Sequence, residues 1–213
     1  MKEIIKLTLS LTLICAIAGA ALAFVNAKTT PRIEASKAAQ RTEKMRSILP
    51  QEPASTPEAG TFDGVVFYKA LAQEGAPAFA YCAEGVDGSG FGGDVRVLVS
   101  MDPAGKILGV LVSEHTETPG IGTLVCNRDV KVSLWEKLGL TKPADAEPVK
   151  LAPNRYLDSF TGRQADVQFA FDGDNAVTPI SGATVSSRAV LNAVNRITAA
   201  WNANKATITG EAK

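Results

Sequence analysis

The stretch DVRVLVSMDPAGKILGVLVS, residues 94–113, decides the fold because it contains two strand-like apolar runs on either side of a short turn. The turn is Asp102-Pro103-Ala104-Gly105. Proline stands where a fixed φ is wanted, and glycine stands where φ can be positive. Residues 94–101 and 106–113 are therefore predicted to pair as an antiparallel hairpin.

Further strand-like runs flank this hairpin, at residues 65–70 and 78–83 before it and at residues 167–171 after it. The last run is ended by the turn Asp-Gly-Asp-Asn at residues 172–175. Most of the predicted sheet is thus formed by the first half of the globular part of the chain.

Two helices are predicted after the hairpin, at residues 130–138 and 186–204. The second has an apolar stripe at three- and four-residue steps, with one wider gap, formed by Val185, Leu191, Val194, Ile197 and Trp201. Hairpin strands followed by separate helices predict an α+β fold.

Residues 7–25 carry no charge and, as a helix, would span roughly 28 Å, close to the thickness of the hydrocarbon layer of a membrane. We expect one retained membrane anchor, because the run is longer than the usual core of a signal peptide, about 7–15 residues. A cleaved signal peptide is the alternative, since Ala21-Leu22-Ala23 has the form of a cleavage site. Lysine and arginine flank both ends of the run, so charge leaves the orientation open.

Residues 31–49 are predicted to form a helix that continues the anchor as a stalk. Pro50, Pro53, Pro57 and Gly60 then interrupt regular structure. They indicate a linker, and the compact domain is expected to begin near Thr61.

The composition argues against a nucleic-acid-binding protein, because the chain of 213 residues carries 22 basic and 22 acidic side chains and no basic stripe. A single histidine and two domain cysteines, Cys82 and Cys126, without C-x-x-C spacing argue against a zinc site. The two thiols could pair in an oxidising compartment or be buried and free. No G-x-S-x-G motif accompanies His115, so a serine hydrolase is not indicated.

Gly88, Gly90 and Gly93 match the spacing of a dinucleotide-binding loop, but a predicted strand follows where that motif needs a helix. A glycine-rich connection before a strand is one interpretation of this loop. A close approach of the backbone to a ligand is the other.

Two polar patches remain as candidate sites. The first, EHTETPGIG at residues 114–122, follows a hairpin strand and is predicted to be a loop; it could equally be a simple capped turn. The second, SGAT at residues 181–184, lies at the start of the predicted helix, whose free N–H groups and positive dipole end suit a phosphate. Arg188 would lie one turn further along the same face. An ordinary helix cap at Ser181 or Thr184 is the alternative.

Taken together, the N-terminal anchor, FGGDVRVLVSMDPAGKILGVLVSEHTETPGIG (residues 91–122) and ISGATVSSRAVLNAV (residues 180–194) resemble the FMN-binding G subunit of the Rnf electron-transport complex. The resemblance extends from the anchor to Val194. It is carried by two motifs, E-T-P-G-[LI]-G and [ST]-G-A-T, in this order.

The resemblance implies that FMN is attached covalently through a phosphoester to Thr184, one per chain, by a separate flavin transferase that uses FAD and magnesium. Ser181, Gly182 and Ala183 would be its recognition context. Contacts to the flavin are implied, by position in the matching motifs, for Glu117, Thr118, Gly120, Ile121 and Leu124, with Phe91, Gly92 and Gly93 near the same site. Many relatives have an acidic residue where this chain has Thr178. The contacts around the site are therefore expected to differ from those of the relatives, whereas the assignment of Thr184 is unaffected.

The implied organisation is an anchor at residues 1–27, a helical stalk and proline-rich linker at 28–60, an FMN-binding domain at 61–205 and a tail at 206–213. The implied function is that of a membrane-anchored, extracytoplasmic flavoprotein. It would relay electrons within an ion-translocating ferredoxin:NAD oxidoreductase beside other membrane subunits and would have no independent catalysis. Two alternatives stay open: the C subunit of the sodium-translocating NADH:quinone reductase, and an anchored assembly or sensor module without a redox role.

Overall fold

The computed structural model describes residues 2–73, 75–128 and 151–210, and the chain divides into two compact units, residues 1–43 and 44–213. Helix α1 spans Lys2–Ile48 and contains Pro31, so residues 31–48 of the predicted stalk are helical. Within the described ranges one helix, α1, is long and apolar enough to cross a membrane, with a window of mean hydropathy 2.2 and no buried residue in that window. The sequence that precedes Lys28 therefore meets the length and polarity requirements of a membrane span.

The second unit is built on a five-stranded antiparallel sheet in which the strands lie in chain order. Short connections between sequential antiparallel strands give this meander. The α+β class predicted from the sequence is confirmed. The strands are β1 (Glu58–Phe62), β2 (Val65–Leu71), β3 (Ala78–Asp87), β4 (Val95–Met101) and β5 (Ile107–His115).

The hairpin between β4 and β5 forms as the turn chemistry predicts. The Asp102 carboxylate accepts a hydrogen bond from the Lys106 N–H at 2.8 Å. The Gly105 N–H donates to the Asp102 carbonyl at 3.0 Å, and Gly105 has a φ of 96°. Side-chain and backbone bonds thus close the turn at the point where glycine supplies a left-handed conformation.

One face of the sheet is covered by a long C-terminal helix, which confirms the predicted amphipathic helix and extends it at both ends. The buried side of this helix includes Val194, Ile197 and Trp201. The Trp201 ring packs against Tyr81 of β3 with centroids 5.1 Å apart. Three further helices are present in the described residues besides α1: α2 (Thr123–Cys126), α3 (Arg155–Asp158) and this one, α4 (Thr184–Thr209).

The opposite face of the sheet is covered by the chain at the end of α1. Met45, Ile48 and Leu49 are buried in a second apolar cluster with residues of β2, β3, β4 and β5. The Ser100 hydroxyl in β4 donates to the Ile48 carbonyl at 2.8 Å. Residues 44–49 therefore belong to the core of the second unit.

Three elements differ from expectation or cannot be compared. The strand predicted at residues 167–171 is wrong, because the Asn195 side chain of α4 satisfies both backbone groups of Phe169, each at 2.8 Å, in place of a neighbouring strand. Strand β1 lies where the sequence indicated a linker. The helix predicted at residues 130–138 lies outside the described residues.

The two domain cysteines are free and buried on opposite faces of the sheet. Cys82 lies in the cluster beneath residues 44–49, whereas Cys126 lies in the cluster beneath α4. The sheet lies between these two clusters and therefore separates the two thiols. The interpretation as buried free thiols is therefore the correct one, and burial raises the pKa of each thiol to about 12.

Candidate functional site

The N-terminus of α4 is open towards solvent. The helix begins at Thr184 after Ala183, and no side chain caps its free N–H groups. Gly182 supports the preceding turn with a φ of 80°. The Thr184 side chain is exposed, and its hydroxyl makes no hydrogen bond within the described part of the chain. An available hydroxyl thus stands beside unpaired N–H groups at the positive end of a 26-residue helix.

The next two hydroxyls of the same helix are buried and engaged. The Ser186 hydroxyl donates to Glu117 Oε2 at 2.6 Å. The Ser187 hydroxyl accepts from the Ile180 N–H at 3.2 Å, and its carbonyl accepts from the Tyr156 hydroxyl at 2.6 Å. The run of serines therefore holds the first turn of the helix and the segment before it in place.

Glu117 stands in the loop between β5 and α2, and it is 4% exposed. Its Oε1 accepts from the Gly92 N–H at 3.3 Å. Its own N–H donates to His115 Nδ1 at 3.3 Å, and His115 Nε2 lies 2.7 Å from Asn127 Oδ1. Because Nδ1 accepts, the hydrogen-bond network assigns the ring proton to Nε2, which donates to Asn127.

The glycine-rich connection before β4 packs directly on this loop. A Cβ built on Gly92 would lie 2.0 Å from the Thr116 carbonyl oxygen, so no other residue fits there without a backbone shift. The Thr116 hydroxyl donates to the Gly92 carbonyl at 2.6 Å. Strand β4 begins at Val95, so the loop leads into a strand and not into the helix of a dinucleotide-binding fold.

These segments enclose an open cavity of about 480 Å³. This volume lies within the usual range for small-molecule sites. Three of the lining side chains are large, apolar and well exposed: Phe91 at 74%, Ile121 at 52% and Val185 at 49%. The cavity is lined by Phe91, Glu117, Thr118, Ile121, Gly122, Gly182, Ala183, Thr184, Val185 and Ser186.

The structure brings together many, though not all, of the residues that the sequence singled out. Ser181 lines a neighbouring cavity of about 410 Å³, which also contains Arg155 and Thr178. Gly120, Leu124 and Arg188 lie outside the lining of the larger cavity, and the Arg188 guanidinium lies 5.6 Å from the centroid of the Phe171 ring. The predicted residues on the larger cavity are Phe91, Glu117, Thr118, Ile121, Gly182, Ala183 and Thr184.

Four residues of the site were missed by the sequence reasoning as site residues. Ser186 and Ser187 were assigned only to the start of the predicted helix, although their burial could have been inferred from their places beside the apolar stripe. Val185 was assigned to that stripe but is half exposed on the cavity. Gly122 belonged to a quoted motif but had no role assigned; a Cβ built there would lie 2.6 Å from Glu117 Oε2.

Comparison with known proteins gives a consistent family for this geometry. The model of the family described as FMN-binding domain matches residues 90–199. The G subunit of the ion-translocating oxidoreductase complex of Haemophilus influenzae (strain ATCC 51907 / DSM 11121 / KW20 / Rd) is 32% identical over 195 residues, which cover 87% of this chain and 83% of the relative. The protein of the same name from Cronobacter sakazakii is 30% identical over 92% of this chain and 89% of its own length.

A third protein of this name, from Shewanella loihica, is 27% identical over 97% of this chain and 93% of its own length. The family match covers the glycine-rich connection, the Glu117 loop and the start of α4, which together form the cavity. The chain therefore belongs to the FMN-binding domain family and, within it, to the proteins named as the G subunit of ion-translocating oxidoreductase complexes.

Proposed function

We propose that this protein is the membrane-anchored flavoprotein subunit of an ion-translocating ferredoxin:NAD oxidoreductase complex and that it carries FMN joined through a phosphoester to Thr184. The observation that carries the proposal is the unpartnered Thr184 hydroxyl, which stands at an uncapped helix N-terminus on the wall of an apolar cavity. The other subunits of the complex would donate and accept the electrons.

The residues present fit such a group. A phosphate attached to Thr184 would stand where the free N–H groups and the dipole of α4 favour negative charge, and Gly182 and Ala183 leave room for it. An aromatic ring system suits the exposed apolar side chains of Phe91, Ile121 and Val185. When bound, FMN supplies the acceptance and release of electrons, while the protein sets its position and electrostatic surroundings.

The chain's own residues bind and orient the group and do not attach it. We assign attachment to a separate flavin transferase, as the family resemblance implies; the absence of a hydrogen-bond partner for the Thr184 hydroxyl within residues 2–73, 75–128 and 151–210 is consistent with this assignment. In that reaction the threonine oxygen bonds to the FMN phosphorus of FAD, and AMP leaves. The exposed position of Thr184 supports access by such an enzyme.

Other predicted residues have supporting roles in this proposal. Ser181 precedes the attachment residue on the neighbouring cavity, where it would serve recognition by the transferase. Gly120 and Leu124 continue the loop and helix that carry Ile121, and the Leu124 N–H donates to the Ile121 carbonyl at 3.1 Å. Arg188 would act through its contact with Phe171 and through its positive charge near the site.

The proposed location is the cytoplasmic membrane of a bacterium, with a single span at the start of α1 and the flavin domain on the extracytoplasmic side. The length and hydropathy of α1 support the span. The orientation is tested by attaching a reporter that is active on one side only to the C-terminus of the full chain.

The first experiment is the intact mass of the full chain produced together with a flavin transferase. We expect a gain of one FMN minus one water, lost in Thr184→Ala. Thr118→Ala is the matched control, because it removes another exposed hydroxyl from the same cavity and should keep the gain. A gain that survives Thr184→Ala would refute the attachment residue. No gain in the unmodified chain, with an active transferase, would favour an assembly or sensor module.

A further inference from the structure

One buried acid of the cavity wall has no role in attachment. The Glu117 carboxylate lines the cavity and is almost fully buried. It accepts one hydrogen bond on each oxygen, from the Ser186 hydroxyl and from the Gly92 N–H. Within the part of the chain that the structure describes, Glu117 forms no ion pair.

The carboxylate joins the three segments that build the cavity. Ser186 is in the first turn of α4, Gly92 is in the glycine-rich connection, and Glu117 itself is in the loop after β5. Two glycines leave room for it. A Cβ on Gly90 would lie 2.5 Å from Glu117 Oε1, and a Cβ on Gly122 would lie 2.6 Å from Glu117 Oε2. Glycine at both positions therefore leaves the space that the Glu117 side chain occupies.

The surroundings of the carboxylate suit a group that only accepts hydrogen bonds. Both of its contacts are donors, and an ionised carboxylate only accepts. It also stands at the positive end of α4, where negative charge is stabilised. The negative charge of Glu117 also acts on Cys126, whose pKa is raised mainly by burial and to a smaller extent by that charge.

A negative charge that is almost fully buried and has no ion-pair partner in the described part of the chain acts over several ångströms on whatever occupies the cavity. It also offsets part of the positive field of the helix N-terminus, which would otherwise favour the addition of electrons nearby. A group in this cavity should therefore be harder to reduce than it would be with a neutral side chain at position 117.

We propose that Glu117 is a positioning residue that ties the glycine-rich connection to the first turn of α4 and that its negative charge lowers the midpoint potential of the flavin in this cavity. The inference rests on the proposed function and goes beyond it. It assigns to one side chain of this chain the setting of the flavin's electron affinity.

The test is the midpoint potential of the covalently bound flavin in the full, transferase-matured chain, measured by spectroelectrochemical titration. We expect Glu117→Gln to shift the potential upwards. The amide keeps the shape of the side chain, since its oxygen can accept from Gly92 and its nitrogen can donate to the Ser186 hydroxyl. Flavin content by intact mass and the thermal midpoint report attachment and folding independently of redox activity.

Two control variants separate charge from contact. Glu114→Gln removes a more exposed carboxylate that lies outside the cavity and pairs with Arg96 at 3.5 Å. This variant should leave the midpoint potential unchanged. Ser186→Ala removes the hydroxyl but keeps the Glu117 charge, so it should not reproduce the upward shift. If Glu117→Gln fails to fold, the double variant Glu117→Met/Ser186→Ala removes the charge and its buried donor together and carries the same expectation.

An unchanged or lowered potential in flavin-loaded Glu117→Gln would overturn the inference and leave the proposed function intact. An equal upward shift in Ser186→Ala would also overturn it, because the contact and not the charge would then set the potential. If Glu117→Gln and Glu117→Met/Ser186→Ala both lack flavin while Ser186→Ala carries it normally, Glu117 is needed only for the folding of the site, and the inference about the potential is overturned. Absence of flavin from the unmodified chain would defeat the proposed function instead.

Discussion

Replacing Leu49 by alanine tests whether the chain at the end of α1 is part of the globular core. Leu49 is 1% exposed and packs in the cluster on the face of the sheet opposite α4. Truncating a fully buried leucine to alanine costs about 2–5 kcal/mol, since it removes apolar burial and leaves a cavity. A domain of this size loses about 2–4 °C of thermal midpoint per kcal/mol, so the expected decrease is about 4–20 °C.

The assay is thermal unfolding of the full chain in a mild detergent, followed by near-ultraviolet circular dichroism. All proteins carry Thr184→Ala, so that bound cofactor does not contribute to the thermal midpoint. Ile33→Ala is the matched control, because Ile33 is 51% exposed in α1 and belongs to the first unit. Its removal should change the free energy of unfolding by no more than about 0.5 kcal/mol.

The result that would refute this reasoning is a Leu49→Ala protein that melts within about 2 °C of its parent, as Ile33→Ala should. Residues 44–49 would then be an appendage that a stable fragment could omit. The expected destabilisation would instead show that a stable fragment has to begin at or before Lys44.

Two further outcomes are expected. Asn195→Leu should cost about 2–4 kcal/mol and speed amide hydrogen exchange around Phe169, because both backbone bonds of that residue are lost; exposed Asn192→Leu is the control, and equal exchange in the two variants would contradict the assignment. Stability should also fall at alkaline pH. The buried thiols Cys82 and Cys126 have pKa values of about 12, whereas an unfolded thiol titrates near about 8.5. Their stabilisation is complete below about 8.5 and is lost as the pH rises towards about 12, at up to about 1.4 kcal/mol per pH unit for each thiol. As the pH rises, the thermal midpoint of Cys126→Ala should therefore fall less steeply than that of the parent protein. An equal slope in the two proteins would contradict this account.

The hairpin and the long helix could be predicted because their signals are local. Asp102 and Gly105 specify a turn by their own chemistry, and the stripe of α4 repeats over five turns. Strand β1 was missed because Pro57 precedes it and Gly60 lies in its middle, and these two residues mask the signal of a short strand. Residues 167–171 have the composition of a strand, but the partner that satisfies their backbone is a side chain of a distant helix.

The candidate site was predictable in part for a similar reason. Thr184 and the residues before it could be named because a helix start is visible in the sequence, and the Glu117 loop because of its unusual density of polar groups and glycine. That Ser186 meets Glu117 across 69 positions could not be inferred from either segment alone. Nor could the sequence indicate that Val185 leaves the core and joins the cavity wall, since that depends on how the helix is rotated on the sheet.

The placement of the cysteines bears on how the protein is made. Cys82 and Cys126 are separated by the sheet, and the third thiol, Cys15, lies in the apolar N-terminal segment. The native core thus needs no oxidant and no disulfide-forming enzyme. The thiols of the globular unit therefore impose no requirement for either a reducing or an oxidising environment.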